Sequence, residues 1–348
     1  MQALTVHPQR PGSLQLRDVA EPDPADALLV DTIAIGICGT DREISEGSYG
    51  EAPAGSDHLI LGHESLGRVR SAPERSGFEP GQLVVGIVRR PDPVPCRSCG
   101  AGEWDMCENG RFTERGIKQR HGFASSRFVL EPAFAYPVPR ALGLCGVLLE
   151  PASVVAKAWE QIDRIVQRSV WKPKRVLVTG AGPVGLLAGL MARQRGYELH
   201  ILDRAERGPK PELAAALGAR YYHAGIAVLR GQVDVIVECT GSPELVVDAL
   251  CSAAANGVVC LAGVSSGARS VKLAASKLNN ELVLENGVVF GSVNANRRHY
   301  AQACSALEQA APSFLRALIT RVLPVERYAE AFERRPDDIK TVLQFAAL

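Results

Sequence analysis

Four residues able to hold a metal, Cys38, His63, Glu64 and Glu150, lie in the first half of the chain. About thirty residues after Glu150 comes a glycine turn able to hold a nucleotide, Gly180-x-Gly182-x-x-Gly185. Thiolate, imidazole and carboxylate together suit zinc with one coordination position left for a substrate. A Lewis-acid metal polarises a hydroxyl or carbonyl, and a nicotinamide takes or gives the hydride. Thr40, two residues beyond Cys38, can hydrogen-bond a reacting alcohol and pass its proton outward. A cysteine at a strand end is ordinarily core, and a His-Glu pair is ordinarily surface. The combination points to one chemistry, a metal-assisted hydride transfer.

The glycine turn sits between an apolar run, residues 175–179, and a helical pattern that continues to Arg195. Three glycines permit a tight turn, close approach of a pyrophosphate and close helix packing, and the helix N-terminus supplies amides. Pro183 and Val184 complete the turn, and Thr240 follows a later strand, residues 233–238. Asp203 lies eighteen residues after the third glycine, where a carboxylate can bind both ribose hydroxyls. Such an acid repels a 2′-phosphate, making NAD the first choice. Arg204 and Arg207 follow it and can grip that phosphate, so NADP stays open.

Two domains must position these residues, since 348 residues is long for one core. Residues 1–153 read as β-rich, with strands at 27–37, 66–70 and 83–88 punctuated by glycine and proline. The stretch 89–121 is long, polar and cysteine-bearing, as functional or metal-stapled loops are. From 154 to 291 strands alternate with helices, at 175–179, 198–203, 233–238 and 257–262, which implies a doubly wound parallel sheet. Residues 292–348 are expected to return to the first domain, with helices at 327–333 and 337–345.

Composition excludes several classes. The chain is 46% hydrophobic and 22% charged with net charge +1, and no Lys/Arg cluster suggests a nucleic-acid or anionic-membrane surface. No window approaches a membrane span and the N-terminus does not resemble a signal peptide, so a cytoplasmic enzyme is expected. Nine cysteines without an export signal argue against disulfides. Cys145, Cys239, Cys251, Cys260 and Cys304 sit in apolar surroundings and read as packing. Cys96, Cys99 and Cys107 have the spacing of a closed structural zinc lobe, one ligand short. Asp92 can supply the fourth, or the lobe is metal-free.

Together these segments resemble the zinc-dependent medium-chain dehydrogenase/reductase superfamily over essentially the whole chain. The order is Cys-Gly-Thr-Asp (38–41), Gly-His-Glu (62–64), a cysteine lobe, Glu150-Pro151 before a helix, and the glycine turn. The nearer likeness is to the glucose 1-dehydrogenase branch. It lies in residues 88–91, 105–110, 113–117 (Thr-Glu-Arg-Gly-Ile), 121–123, 150–155 and 291–294 (Gly-Ser-Val-Asn). The resemblance implies a GroES-like β-rich catalytic domain joined to a Rossmann domain. It implies a catalytic zinc on Cys38, His63 and Glu150, with Glu64 a nearby or alternating ligand. It places Thr40 and Glu114 near sugar hydroxyls and Asn294 near the nicotinamide or sugar. Two positions depart from the pattern. Pro93 stands where the lobe usually has a cysteine, and Asp203 stands where members using both cofactors often lack an acid.

The expected activity is transfer of the C1 hydride of an aldose to NAD(P)+, giving a lactone. Glu114, Glu150 and His121 are expected to read the other hydroxyls. The rivals are a polyol or secondary-alcohol dehydrogenase on the same scaffold, and a non-catalytic zinc- and nucleotide-binding protein. The partners expected are a small sugar or polyol and further copies of the chain, as a dimer or tetramer.

Overall fold

The first ten-residue strand, Leu28–Ile37, is buried at eight positions and pairs with three others. In a computed structural model of the chain, which describes residues 1–265 and 269–348, it is the centre of a seven-stranded sheet. Glu64–Ser71, Lys340–Gln344 and Arg127–Leu130 all run antiparallel to it. Register decides what meets at its end. Gly36 faces Glu64, and Ile37 faces Thr341, so Cys38, Glu64 and Lys340 gather at one end of the sheet. A Cβ at position 36 would lie 2.1 Å from Glu64 Oε2, so any side chain there would displace the carboxylate. Leu4, Val30, Ile35, Phe123 and Phe128 are among the buried residues of this core. A small sheet, Arg89–Arg90, Thr113–Arg115 and Gln119–Arg120, orders much of the polar stretch 89–121.

The chain divides into two compact units. One contains Met1–Ser153, Asn294–Glu308 and Ile319–Leu348; the other contains Val154–Val293 and Gln309–Leu318. The segment Gln309–Leu318, expected with the first domain, thus belongs to the second unit. There its helix Pro312–Leu318 packs on the helix Pro209–Ala216.

The second unit carries six parallel strands: β1 (Arg175–Thr179), β2 (Glu198–Leu202), β3 (Arg220–Tyr222), β4 (Val233–Glu238), β5 (Ala253–Leu261) and β6 (Val288–Gly291). Their spatial order is 3-2-1-4-5-6, the doubly wound arrangement whose ligand crevice lies where the strand order reverses, beside β1. The central strands are near-continuous apolar runs because both faces are covered.

Two expectations need correction. Residues 337–345 are not helical; Lys340–Gln344 is a strand between Leu28–Ile37 and Ile319–Pro324. Thr341, Val342 and Leu343 are buried there, and two flanking ladders outweigh any local helical spacing. The helical stretch Arg140–Val166, kinked at Gly143, is by length and composition apolar enough to cross a membrane. It is mostly buried inside the protein, as a core helix of a globular chain is. Of the five packing cysteines, Cys145, Cys260 and Cys304 are buried, while Cys239 and Cys251 are half-buried.

Candidate metal centre and nucleotide site

Cys38 leaves the central strand in extended conformation and caps the helix Gly39–Ser45. Its sulfur accepts the Thr40 N–H at 3.2 Å, while Asp41 Oδ2 accepts the Cys38 N–H at 3.0 Å. This reciprocal cap points the sulfur at His63, whose Nε2 lies 3.0 Å away. On the other side of the imidazole, Nδ1 is 3.3 Å from Asp41 Oδ1. A carboxylate behind a histidine fixes its tautomer and raises its basicity toward a metal. Asp41 was visible in the motif, but this role was not read from it.

Glu64 opens its strand beside His63. Lys340 Nζ donates to both Glu64 oxygens, at 2.6 and 2.5 Å, and both side chains are buried. No sequence signal pairs residues 276 positions apart. The donor atoms of Cys38, His63 and Glu64 lie within 4.8 Å of one another, the spacing that one cation bridges with bonds of about 2.0–2.3 Å. The set of sulfur, nitrogen and oxygen donors fits zinc. Glu150 is not part of that group among the described residues. It stands within electrostatic reach of His63, Glu64, Lys340 and Asp41.

The charges are strongly coupled. Burial opposes ionisation of Asp41, yet His63, the Cys38 N–H and Lys340 together hold its carboxyl below the usual range. Burial likewise opposes the imidazolium, but Asp41 and Cys38 hold His63 well above its ordinary value. Burial, reinforced by Glu64, lifts Glu150 to about 7 against the opposing pull of His63 and Lys340. A bound cation would reverse that balance.

In the same unit, Glu114 is buried on the small sheet. Three donors converge on one of its oxygens: Arg89 Nε and Nη2 at 3.1 and 3.0 Å, and Asn294 Nδ2 at 2.6 Å, all to Oε1. Oε2 receives no hydrogen bond among the described residues and remains an open acceptor. Asn294 adopts φ +63°, a conformation asparagine tolerates better than most residues. The structure thus joins Glu114 and Asn294, 180 positions apart. Arg111 and Arg115, the nearest basic residues in the sequence, pair instead with Asp92 and Glu131. His121 is engaged elsewhere: its Nδ1 accepts the Ile60 N–H at 3.1 Å and its ring stacks on His58. Burial, with His58 and Arg115 nearby, pushes its pKa down to about 4. Thr40 is half-exposed beside the Cys38 sulfur.

Cys96, Cys99 and Cys107 form a second group with donor atoms within 4.8 Å. Backbone N–H donors from Glu108 and Cys99 pull the Cys96 thiol down to about 7, while burial pushes Cys99 up to about 11. The expected fourth ligand, Asp92, is not among them. Its carboxylate accepts from the Val94 N–H and from Asn109, and pairs with Arg111 at 3.1 Å.

In the second unit the turn after β1 runs through Gly180 and Gly182 into the helix Pro183–Gln194, with Gly182 as N-cap and Pro183 in the first turn. A side chain at position 185 would place its Cβ 1.8 Å from Gly180 O, so glycine is required for the helix to start this close. Gly180, Gly182, Asp203, Arg204, Lys210 and Thr240 line a cavity of about 490 Å³ at the end of the strands. Buried Glu238 fixes the backbone next to Thr240, accepting from Thr179 Oγ1 at 3.2 Å, the Thr240 N–H at 2.7 Å and the Gly241 N–H at 3.1 Å. A glycine turn running into a helix N-terminus beside such a cavity is an arrangement able to receive a pyrophosphate.

Two family models match: "Glucose dehydrogenase C-terminus" over residues 143–345 and "Alcohol dehydrogenase GroES-like domain" over residues 24–140. Glucose 1-dehydrogenase of Methanocella arvoryzae is 39% identical over the whole of both chains. Glucose 1-dehydrogenase of Thermoproteus tenax is 42% identical over 99% of each chain. The solved structure of Haloferax mediterranei glucose dehydrogenase in complex with NADP, zinc and gluconolactone is 31% identical and superposes at a TM-score of 0.92, covering all of both chains. The GroES-like β-rich unit and the doubly wound unit agree with these likenesses, and the chain belongs to the glucose 1-dehydrogenase branch of the zinc-dependent medium-chain dehydrogenase/reductase superfamily.

Proposed function

We propose that this protein oxidises an aldose of glucose type at C1, passing the hydride to NAD(P)+ and releasing a lactone. The observation that carries the sugar assignment is Glu114. A buried carboxylate is saturated on Oε1 by Arg89 and Asn294 and open on Oε2, a rigid acceptor for a sugar hydroxyl. It stands in the same unit as the Cys38–His63–Glu64 cluster. The activity and ligands of the full-length relatives point the same way.

Cys38 and His63 would hold zinc with a carboxylate from Glu64 or Glu150. That metal would supply Lewis acidity to the C1 hydroxyl, and NAD(P)+ bound at the glycine turn would supply the hydride acceptor. The remaining work falls to this chain's side chains. Asp41 fixes the His63 ring, and Lys340 holds Glu64 by both oxygens. The Thr40 hydroxyl carries the C1 hydroxyl proton toward solvent. Glu114 and Asn294 orient the ring by its remaining hydroxyls. A site built around such polar groups rejects sugars lacking a matching hydroxyl. Gly180, Gly182 and the first-turn N–H groups of Val184 and Gly185 receive the pyrophosphate, Pro183, which has no N–H, starts the helix beneath it, and Thr240 borders it. The sulfurs of Cys96, Cys99 and Cys107 support a second, structural zinc.

The chain is further inferred to form a homo-oligomer through the edge of the second unit. Strand β6 is an edge strand, and the helix Ala275–Leu284 that precedes it in the chain has no buried residue, with Val283 and Leu284 exposed. Light scattering on the eluted protein tests this, and a monomer would refute it. The activity is tested with a panel of aldoses and polyols against NAD+ and NADP+, read by reduced-nicotinamide absorbance. Turnover of aldoses is expected; turnover of open-chain polyols alone would overturn the sugar reading.

A further inference from the structure

An acid at the end of β2 ordinarily selects NAD, because a free carboxylate binds the ribose hydroxyls and repels a 2′-phosphate. In this chain the carboxylate is not free. Asp203 Oδ2 accepts the Ala181 N–H at 2.8 Å, and Oδ1 accepts the Ala205 N–H at 3.0 Å. Lys210 Nζ lies 3.4 Å from both oxygens. The Asp203 side chain is 9% exposed and that of Lys210 20%, so the pair is largely withdrawn from solvent. Ala181 belongs to the glycine turn itself, so Asp203 ties that turn to the end of β2. The Tyr221 hydroxyl donates to Ala205 O at 2.7 Å and steadies the far side of the same strap.

The charge balance at this end of the cavity then favours an anion. Lys210, in the first turn of the helix Pro209–Ala216, cancels Asp203. Arg204 is exposed, lines the same cavity, and makes no ion pair among the described residues. His223 also lines this cavity and adds no negative charge. One negative charge is set against two positive ones.

We propose that Lys210 is the specificity-determining residue of the nucleotide site. By pairing with Asp203 it removes the repulsion a 2′-phosphate would meet, and with Arg204 it makes the adenosine end a phosphate site, so the protein prefers NADP. Asp203 then acts as a brace of the glycine turn, not as the selector that its position in the sequence suggests. The inference rests on the dinucleotide-binding reading given above and concerns only the adenosine end of that site.

Cofactor affinity measured without sugar separates the two. Dissociation constants for NADPH and NADH, read by nicotinamide fluorescence, are compared in the parent protein, Lys210→Met, Asp203→Asn and the double variant, each checked for an unchanged circular dichroism spectrum. The parent is expected to bind NADPH more tightly. Lys210→Met leaves the carboxylate uncompensated, so the NADPH-to-NADH affinity ratio should fall about tenfold or more, with NADH affinity held or improved. Asp203→Asn should weaken both cofactors and move the ratio by less than about threefold. The double variant should recover part of the lost NADPH affinity. An unchanged ratio in Lys210→Met, or a tenfold rise in Asp203→Asn alone, overturns the proposal. If the parent binds neither cofactor, the dinucleotide reading itself falls and takes the proposal with it.

Discussion

Replacing Lys340 by methionine isolates the buried ion pair that holds Glu64. Methionine keeps the unbranched length of lysine and removes only the ammonium. In the parent, two charge-assisted hydrogen bonds of 2.6 and 2.5 Å join Nζ to Glu64, and Nζ also reaches Ile37 O at 3.4 Å. The two side chains are only 1% and 3% exposed, so solvent cannot take over the lost partner. Breaking such a pair by removing one member costs about 3–5 kcal/mol, because a charge stays buried and unpaired. At about 2–4 °C per kcal/mol, the melting temperature of this unit should drop by about 6–20 °C. The double variant Glu64→Gln/Lys340→Met removes both charges and should recover most of that loss. Differential scanning calorimetry on metal-free protein at neutral pH is the assay, since a cation beside Glu64 would itself compensate the carboxylate. A Lys340→Met melting temperature within about 1 °C of the parent would refute the claim that this pair is buried and coupled.

Glu114→Gln should cut kcat/KM for an aldose by about ten- to a hundredfold, the loss of one charge-assisted hydrogen bond worth about 1.5–3 kcal/mol. It should leave NADPH affinity unchanged; sugar kinetics equal to the parent would remove Glu114 from the site. Elemental analysis should find two zinc ions per chain, and Cys99→Ser should lower thermal stability before it alters the chemical step. One zinc in the parent would mean the three-sulfur group is empty. Acid stability should depend on Glu131. Burial opposes its ionisation, but Arg90, Arg115 and Arg120 pull its carboxyl down from 4.5 to about 2. A folded-state pKa below the unfolded one gives stability that is present above pH 4.5 and lost as pH falls toward 2. Glu131→Gln should therefore flatten the stability profile in that window, and an unaltered profile would show that the three arginines do not depend on it.

The second unit was legible because its parallel strands are buried on both faces and read as short apolar runs, with the glycine turn placed between strand and helix. Cys38, His63 and Glu64 were legible as a set because two short segments carry all three. What strand register brings together was not legible. Lys340 meets Glu64 only because a C-terminal strand inserts beside Leu28–Ile37, and that strand was itself read as a helix. Arg89 was visible in a motif, but its pairing with Glu114 depends on the small antiparallel ladder that sets the two side by side. Asp203 is the subtler case. Its position announces a ribose ligand, and nothing in the sequence announces its hydrogen bonds to Ala181 and Ala205 or its pairing with Lys210.

The most direct test of the central claim is isotopic. Glucose carrying deuterium at C1 is turned over with NADP+, and both products are examined by mass spectrometry. Deuterium in the reduced nicotinamide and an unlabelled lactone are expected, since the hydride leaves from C1. Deuterium kept in the sugar product, with unlabelled reduced cofactor, would show oxidation at another carbon and contradict the assignment.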